Sequence, residues 1–174
     1  MKKSYLIFIT FILLSSCNSI VKTIYDDTTA RYNAYFIANE EIKNIEEDYE
    51  KNLNQGFDSL IDLTYKIDTN QVSSIQERTQ NSIEKLSILI QRQTTSKYVY
   101  PSYALIGKSR LLNLNLKEAI TTLKYVNSKS NNNEANTMAL VYLLRAYTEN
   151  KDYNSAQEVD KFLTNKEMNE NLKI

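Results

Sequence analysis

Cys17 is the only thiol in a chain of 174 residues that contains no histidine. It is therefore the side chain best suited to covalent chemistry, and its neighbours say which chemistry. Lys2 and Lys3 open the chain, and Tyr5 to Leu14 form an apolar run. That run has the length of a signal-peptide core and is too short to span a bilayer as a helix. Leu14-Ser15-Ser16-Cys17 follows. Small residues let an extended chain enter a peptidase cleft, and a cysteine directly after them matches a lipobox. The thiol of such a cysteine takes a diacylglycerol, and cleavage then leaves the cysteine as the first residue. Residues 1–16 are thus expected to be a lipoprotein signal peptide, Cys17 to carry diacylglycerol and N-acyl lipid, and residues 17–25 to form a lipidated linker. Each buried CH₂ of such chains contributes about 0.8 kcal/mol to membrane attachment.

Little else in the chain points to chemistry. Glu40, Glu41, Glu46, Glu47 and Asp48 could be imagined as catalytic carboxylates or a cation site. They are spread around a helical pattern with lysines between them, which predicts a solvated face. There is no glycine-rich phosphate loop and no closely spaced metal-ligand set. The expectation is no enzyme, no catalytic residue, no metal, no cofactor beyond the lipid and no small-molecule substrate. Lys+Arg and Asp+Glu stand at 21 each, so losing Lys2 and Lys3 leaves a formal charge of about −2. No basic face argues for nucleic acid. A lone cysteine excludes an internal disulfide, so stability must come from packing.

The elements that position these residues are helices. Two glycines and one proline occur in the whole chain, too few to punctuate a β-rich fold. From Ile20 to about Leu53 nothing breaks a helix. Asp26, Asp27 and Thr28 can cap it, and its apolar stripe runs Tyr32, Tyr35, Phe36, Ile42, Ile45, Tyr49, Leu53. After Gly56, residues 57–63 read as a short helix or an extended stretch. Ser73 or Ser74 opens a helix to about Arg92, and Pro101 begins another through Leu112. Further helices are expected at about Leu116 to Asn127, Ala135 to Glu149 and Tyr153 to Leu163, with 167–174 a frayed tail.

A shift of 37 residues superposes Tyr103 on Leu140, Ile106 on Leu143, Gly107 on Leu144, Leu116 on Tyr153, Ala119 on Ala156 and Val126 on Leu163. Within each copy a large residue precedes a Leu-Gly-like pair, and an alanine follows twelve positions later. That is the tetratricopeptide spacing, whose usual period is about 34. The loop run Asn131-Asn132-Asn133 accounts for the surplus. Tyr103, Gly107, Ala119, Leu144, Tyr147 and Ala156 are the expected packing positions. Arg110 and Asp160 depart from the pattern, standing where an aromatic and an apolar residue belong. The fold class read from this is all-α: antiparallel helix hairpins of tetratricopeptide-like type in a right-handed α-solenoid over 71–166. A long N-terminal helix lies in the helical region 26–70 before it. A degenerate earlier unit would pair 57–66 with the helix bearing Ser82, Leu86 and Leu89. Repeat arrays bind on the surface made by the first helix of each hairpin. Ala104 with Lys108, and Val141 with Arg145, should face such a groove. The two cations there would either meet acidic groups of a partner, or stay solvated or pair with Glu118 or Glu149.

Thr28-Thr29-Ala30-Arg31-Tyr32-Asn33-Ala34-Tyr35-Phe36 closely follows Cys17, then Ser96-Lys97-Tyr98 precedes Tyr103 to Ser109, and Lys117-Glu118-Ala119-Ile120 with Leu123-Lys124-Tyr125-Val126 follows. Together they resemble the N-terminal part of the SprE/PorW-like tetratricopeptide lipoproteins of Bacteroidota. Pro101-Ser102 departs from the acidic residues expected at that place. The resemblance implies an outer-membrane lipoprotein that would face the periplasm and serve protein partners in type IX secretion and gliding motility machinery. The alternative is an outer-membrane assembly lipoprotein for β-barrel insertion, or a nutrient-uptake accessory.

Overall fold

The computed structural model describes residues 20–53 and 72–171, and these are helical apart from short links. Helix α1 covers 20–53, as an α-helical stretch at 20–29, a π-helical segment Ala30–Tyr35 and a second α-helical stretch Phe36–Leu53. Five more helices follow among the described residues: α2 Val72–Arg92, α3 Val99–Leu112, α4 Leu116–Lys129, α5 Asn133–Glu149 and α6 Tyr153–Asn171. The sequence had suggested that the last ends near Leu163, and it continues eight residues further. Residues 1–19, with Cys17, and 54–71, with the expected 57–63 segment, lie outside the described residues.

The π segment explains the face that α1 buries. The Phe36 N–H donates to the Arg31 carbonyl, five residues back, so one residue more than usual is taken up in this turn. At about 100° per residue, a regular helix would leave Asp26 and Ala30 out of line with Ala38, Ile42, Ile45 and Tyr49. The extra residue brings all six onto one face, and all six are buried. Phe36, expected in the apolar stripe, is carried to the opposite side and is exposed. The side chains of Tyr32 and Leu53 lie outside the described set. Asp26 and Asp27 do not cap α1, which is already helical at residue 20. They clasp the link between α2 and α3 instead. Thr95 Oγ1 donates to Asp26 at 2.8 Å, and Ser96 Oγ and the Lys97 N–H both donate to Asp27 Oδ1 at 2.8 Å.

Each helix packs on the next in sequence, and α3 packs also on α1 and α5. Helices α1, α3 and α5 thus share one layer, and α2, α4 and α6 each pack against their neighbours in it. The links from α3 to α4, from α4 to α5 and from α5 to α6 are three residues long, which forces the chain to reverse at each. Two of these links have the same geometry, 37 residues apart. Leu114 and Lys151 are the described residues with positive φ, at 58° and 60°. After them, Asn115 N–H donates to Arg110 O and Asp152 N–H to Tyr147 O, both at 2.9 Å. These are left-handed helix ends made without glycine. The α4–α5 link ends differently, with Asn132 Oδ1 capping α5 by accepting from the Ala135 N–H at 3.0 Å.

The core is continuous from α1 to α5. Ala38, Ile42, Ile45 and Tyr49 meet Ile75 and Leu86 of α2 and Leu105, Ile106 and Leu112 of α3. Ala104 meets Leu123, Val126, Ala135, Ala139 and Leu143, and Met138 of α5 touches both groups. Small residues let the helices close. A Cβ on Gly107 would lie 2.5 Å from Cδ2 and 2.6 Å from Cγ of the buried Leu123, so α3 and α4 come together there. Ala119 packs with Leu111 and Ala146, and Ala156 is buried. Tyr103 and Tyr147 are half-buried against the α3–α5 cluster, and Leu144 is half-buried.

Candidate functional site

The four residues expected on an open groove are placed differently from one another. Ala104 is fully buried between α3, α4 and α5, and Lys108 is 9% exposed. The Lys108 Nζ lies 2.6 Å from Glu46 Oε2 of α1 and 4.9 Å from the centre of the Tyr142 ring of α5. One cation therefore ties three helices of the layer together. Burial alone would lower its pKa, but hydrogen bonds to Glu46 and Tyr142 outweigh that and hold it above the ordinary lysine value. Burial pushes the Tyr142 hydroxyl up, against the opposing pull of Lys108. Arg145 donates to Glu149 at 2.7 Å, one of the pairings the sequence offered. Val141 is the one member of the four that is exposed.

The acids expected on a solvated face of α1 are also used. Arg78 of α2 bridges Glu41, with Nε to Oε1 at 2.5 Å, and Asp48, with Nη1 to Oδ2 at 2.9 Å. Burial works against the Arg78 charge, and the two carboxylates more than offset it, raising its pKa. Tyr49 OH donates to the Leu112 carbonyl at 3.2 Å. Tyr35, in the π segment, stacks obliquely on Tyr98 with centroids 4.9 Å apart. Burial first, then the charge of Glu134 and the nearby Tyr98, push its hydroxyl up to about 12. The layer of α1, α3 and α5 is thus closed by its own side chains.

The open space lies between α2 and α4. A cleft of about 520 Å³ is lined by Ile90 of α2, by Tyr103, Ile106 and Arg110 of α3, and by Tyr125 of α4. The Tyr103 and Tyr125 rings meet edge to face at 5.0 Å, and Tyr100 lies 6.4 Å from Tyr125. Burial, followed by its tyrosine neighbours, raises the Tyr103 pKa. A second, polar cleft of about 720 Å³ adjoins it, lined by Gln76, Gln80, Asn113 and Glu118, and Arg110 borders both. Arg110 is held in place by Thr122 and by Glu118, with Nε to Oε2 at 3.3 Å. Such a trough offers an aromatic wall, an aliphatic floor and amide and carboxylate groups at one end. Those are contacts for an extended peptide segment.

Sequence reasoning did not find this trough. Its one signal was Arg110, the departure from the repeat pattern. Among the described residues no three His, Cys, Asp or Glu side chains gather as a metal site. No described helix is long and apolar enough to cross a membrane. No family model, curated protein or solved structure matches this chain.

Proposed function

We propose that this chain is a non-enzymatic, lipid-anchored adaptor of tetratricopeptide-like helical hairpins at the bacterial outer membrane. It would face the periplasm and hold protein partners of a type IX secretion or gliding machine. The observation that carries the repeat reading is the pair of matching glycine-free turns at Leu114 and Lys151, separated by the same 37 residues as the apolar pattern. Three hairpins, α1/α2, α3/α4 and α5/α6, then reach the number that a stacked array needs. Such arrays act through contact surfaces and not through a catalytic centre. The membrane address is supported by the Leu14-Ser15-Ser16-Cys17 lipobox, and the machine by the Thr28 to Phe36 opening that resembles the SprE/PorW-like lipoproteins. Partners engage the trough between α2 and α4, where Tyr125 and Ile90 offer apolar contact and Arg110 is already oriented.

The test is affinity capture of the lipidated protein from outer membranes with partners identified by mass spectrometry. Secretion or motility components should co-purify, and Tyr125→Glu with Thr121→Glu, both exposed on the cleft, should abolish their recovery while leaving the helical circular dichroism unchanged. Recovery of the barrel-insertion complex without secretion components would overturn the assignment to this machine.

A further inference from the structure

Helix α1 carries a second apolar face, directed away from the core. Ile20, Val21, Ile24, Tyr25, Phe36 and Ile37 are each between 47% and 67% exposed. They would not share a face on a regular helix. The residue absorbed by the π segment turns Phe36 and Ile37 onto the arc begun by Ile20, Val21, Ile24 and Tyr25, opposite the buried Asp26, Ala30, Ala38 and Ile42. The stripe spans about 25 Å at 1.5 Å per residue, with the exposed Thr28 and Arg31 between its two apolar ends. It stops sharply: beyond Ile37 the same arc continues as Glu40, Lys43, Asn44 and Glu47, where Lys43 and Glu47 pair with each other in solvent at 3.8 Å.

The position of this stripe in the chain says what covers it. Ile20 stands three residues after Cys17, so at most about 10 Å of chain separates it from an acyl group carried there. A lipid on Cys17 holds the apolar end of α1 at the headgroups, and the charged end begins where the helix would leave them. We infer that the outward face of α1 from Ile20 to Ile37 lies in the interface of a phospholipid bilayer, as a second membrane contact beside the lipid. This rests on lipidation of Cys17. It adds that the body of the protein is oriented on the membrane and does not swing on a tether, because a helix in the interface plane buries its apolar face about 5–10 Å deep.

The chain contains no tryptophan, so a single one is an unambiguous probe. The lipidated protein carrying Ile24→Trp or Phe36→Trp is reconstituted into phosphatidylethanolamine–phosphatidylglycerol vesicles with and without brominated phospholipid. Phe162→Trp, on exposed Phe162 of α6, is the control. The expected result is that probes at 24 and 36 lose about half or more of their emission to bromines at that depth, and the probe at 162 loses none. Protein that carries the lipid by mass and sediments with vesicles, yet shows no quenching at 24 and 36, overturns the inference and leaves the tether intact. Blue-shifted but unquenched emission at both positions overturns it too, because a second copy or another protein then covers the stripe. An unmodified Cys17 in the mass spectrum overturns the tether, and the inference with it.

Discussion

Lys108 is a charge enclosed by its own fold: it stands on α3, and its two partners, Glu46 and Tyr142, come from α1 and α5. Removing one partner of such a pair costs far more than the pair contributes, because the remaining charge stays buried. Glu46→Ala is expected to destabilise the protein by about 3 kcal/mol, and Lys108→Met in the same chain to restore most of the loss. Urea unfolding of the four members of this cycle checks it. Gly107 is the other residue without latitude. Gly107→Ala should cost about 1–3 kcal/mol, since the buried Leu123 cannot swing clear of the new methyl group. The raised Lys108 and Tyr35 values have a sign that can be followed. Both groups hold their proton more tightly folded than unfolded, so their contribution is complete below their unfolded values, 10.5 and 10.0. It is lost as pH rises through the folded values, which for Tyr35 means towards about 12. The melting temperature should therefore fall above pH 10 with no matching fall just below it. Tyrosinate absorbance should show a late step, shared with Tyr103 and Tyr142, that Tyr35→Phe reduces.

The elements carry two irregularities, and each has a predicted consequence. Leu114 and Lys151 end α3 and α5 in the left-handed region, where an L-residue costs about 1–2 kcal/mol and glycine does not. Lys151→Gly should stabilise the protein by about 0.5–1 kcal/mol after glycine's own entropy cost, measured by denaturant unfolding. The π segment behaves as one inserted residue. Deleting the exposed Asn33 should turn Ala30–Tyr35 into ordinary α-helix and keep Asp26, Ala30 and Ile42 on one face. Stability should then hold or rise, and the Lys97 amide should stay protected from exchange by Asp27. A loss of the clasp in that variant would contradict the register argument.

At the scale of the whole molecule, the described helices pack as one continuous core, closed on the α1, α3 and α5 side and open between α2 and α4. The clusters named above are built from residues of α1 to α5, and the lipobox reading gives Cys17 the role of attachment. Cys17→Ser should therefore leave the unfolding transition unchanged while abolishing lipid incorporation, read by metabolic labelling and membrane fractionation.

The sequence by itself determined that the described residues are helical, because scarce glycine and proline and a 3.6-residue apolar period are local properties. It also located most helix bounds from α2 to α5, to within a few residues, and the 37-residue recurrence. The residue types at Gly107 and Ala119 carried the signal of close helix contact, since size alone decides that. The fate of long polar side chains was decided only by the tertiary structure. Glu46 and Lys108 are 62 positions apart, and Arg78 reaches 30 and 37 positions back to Asp48 and Glu41. No periodicity encodes which cation a helix will meet across its neighbour. The exposed face of α1 was hidden for a related reason: a stripe read at 3.6 residues per turn loses its register where the helix absorbs an extra residue.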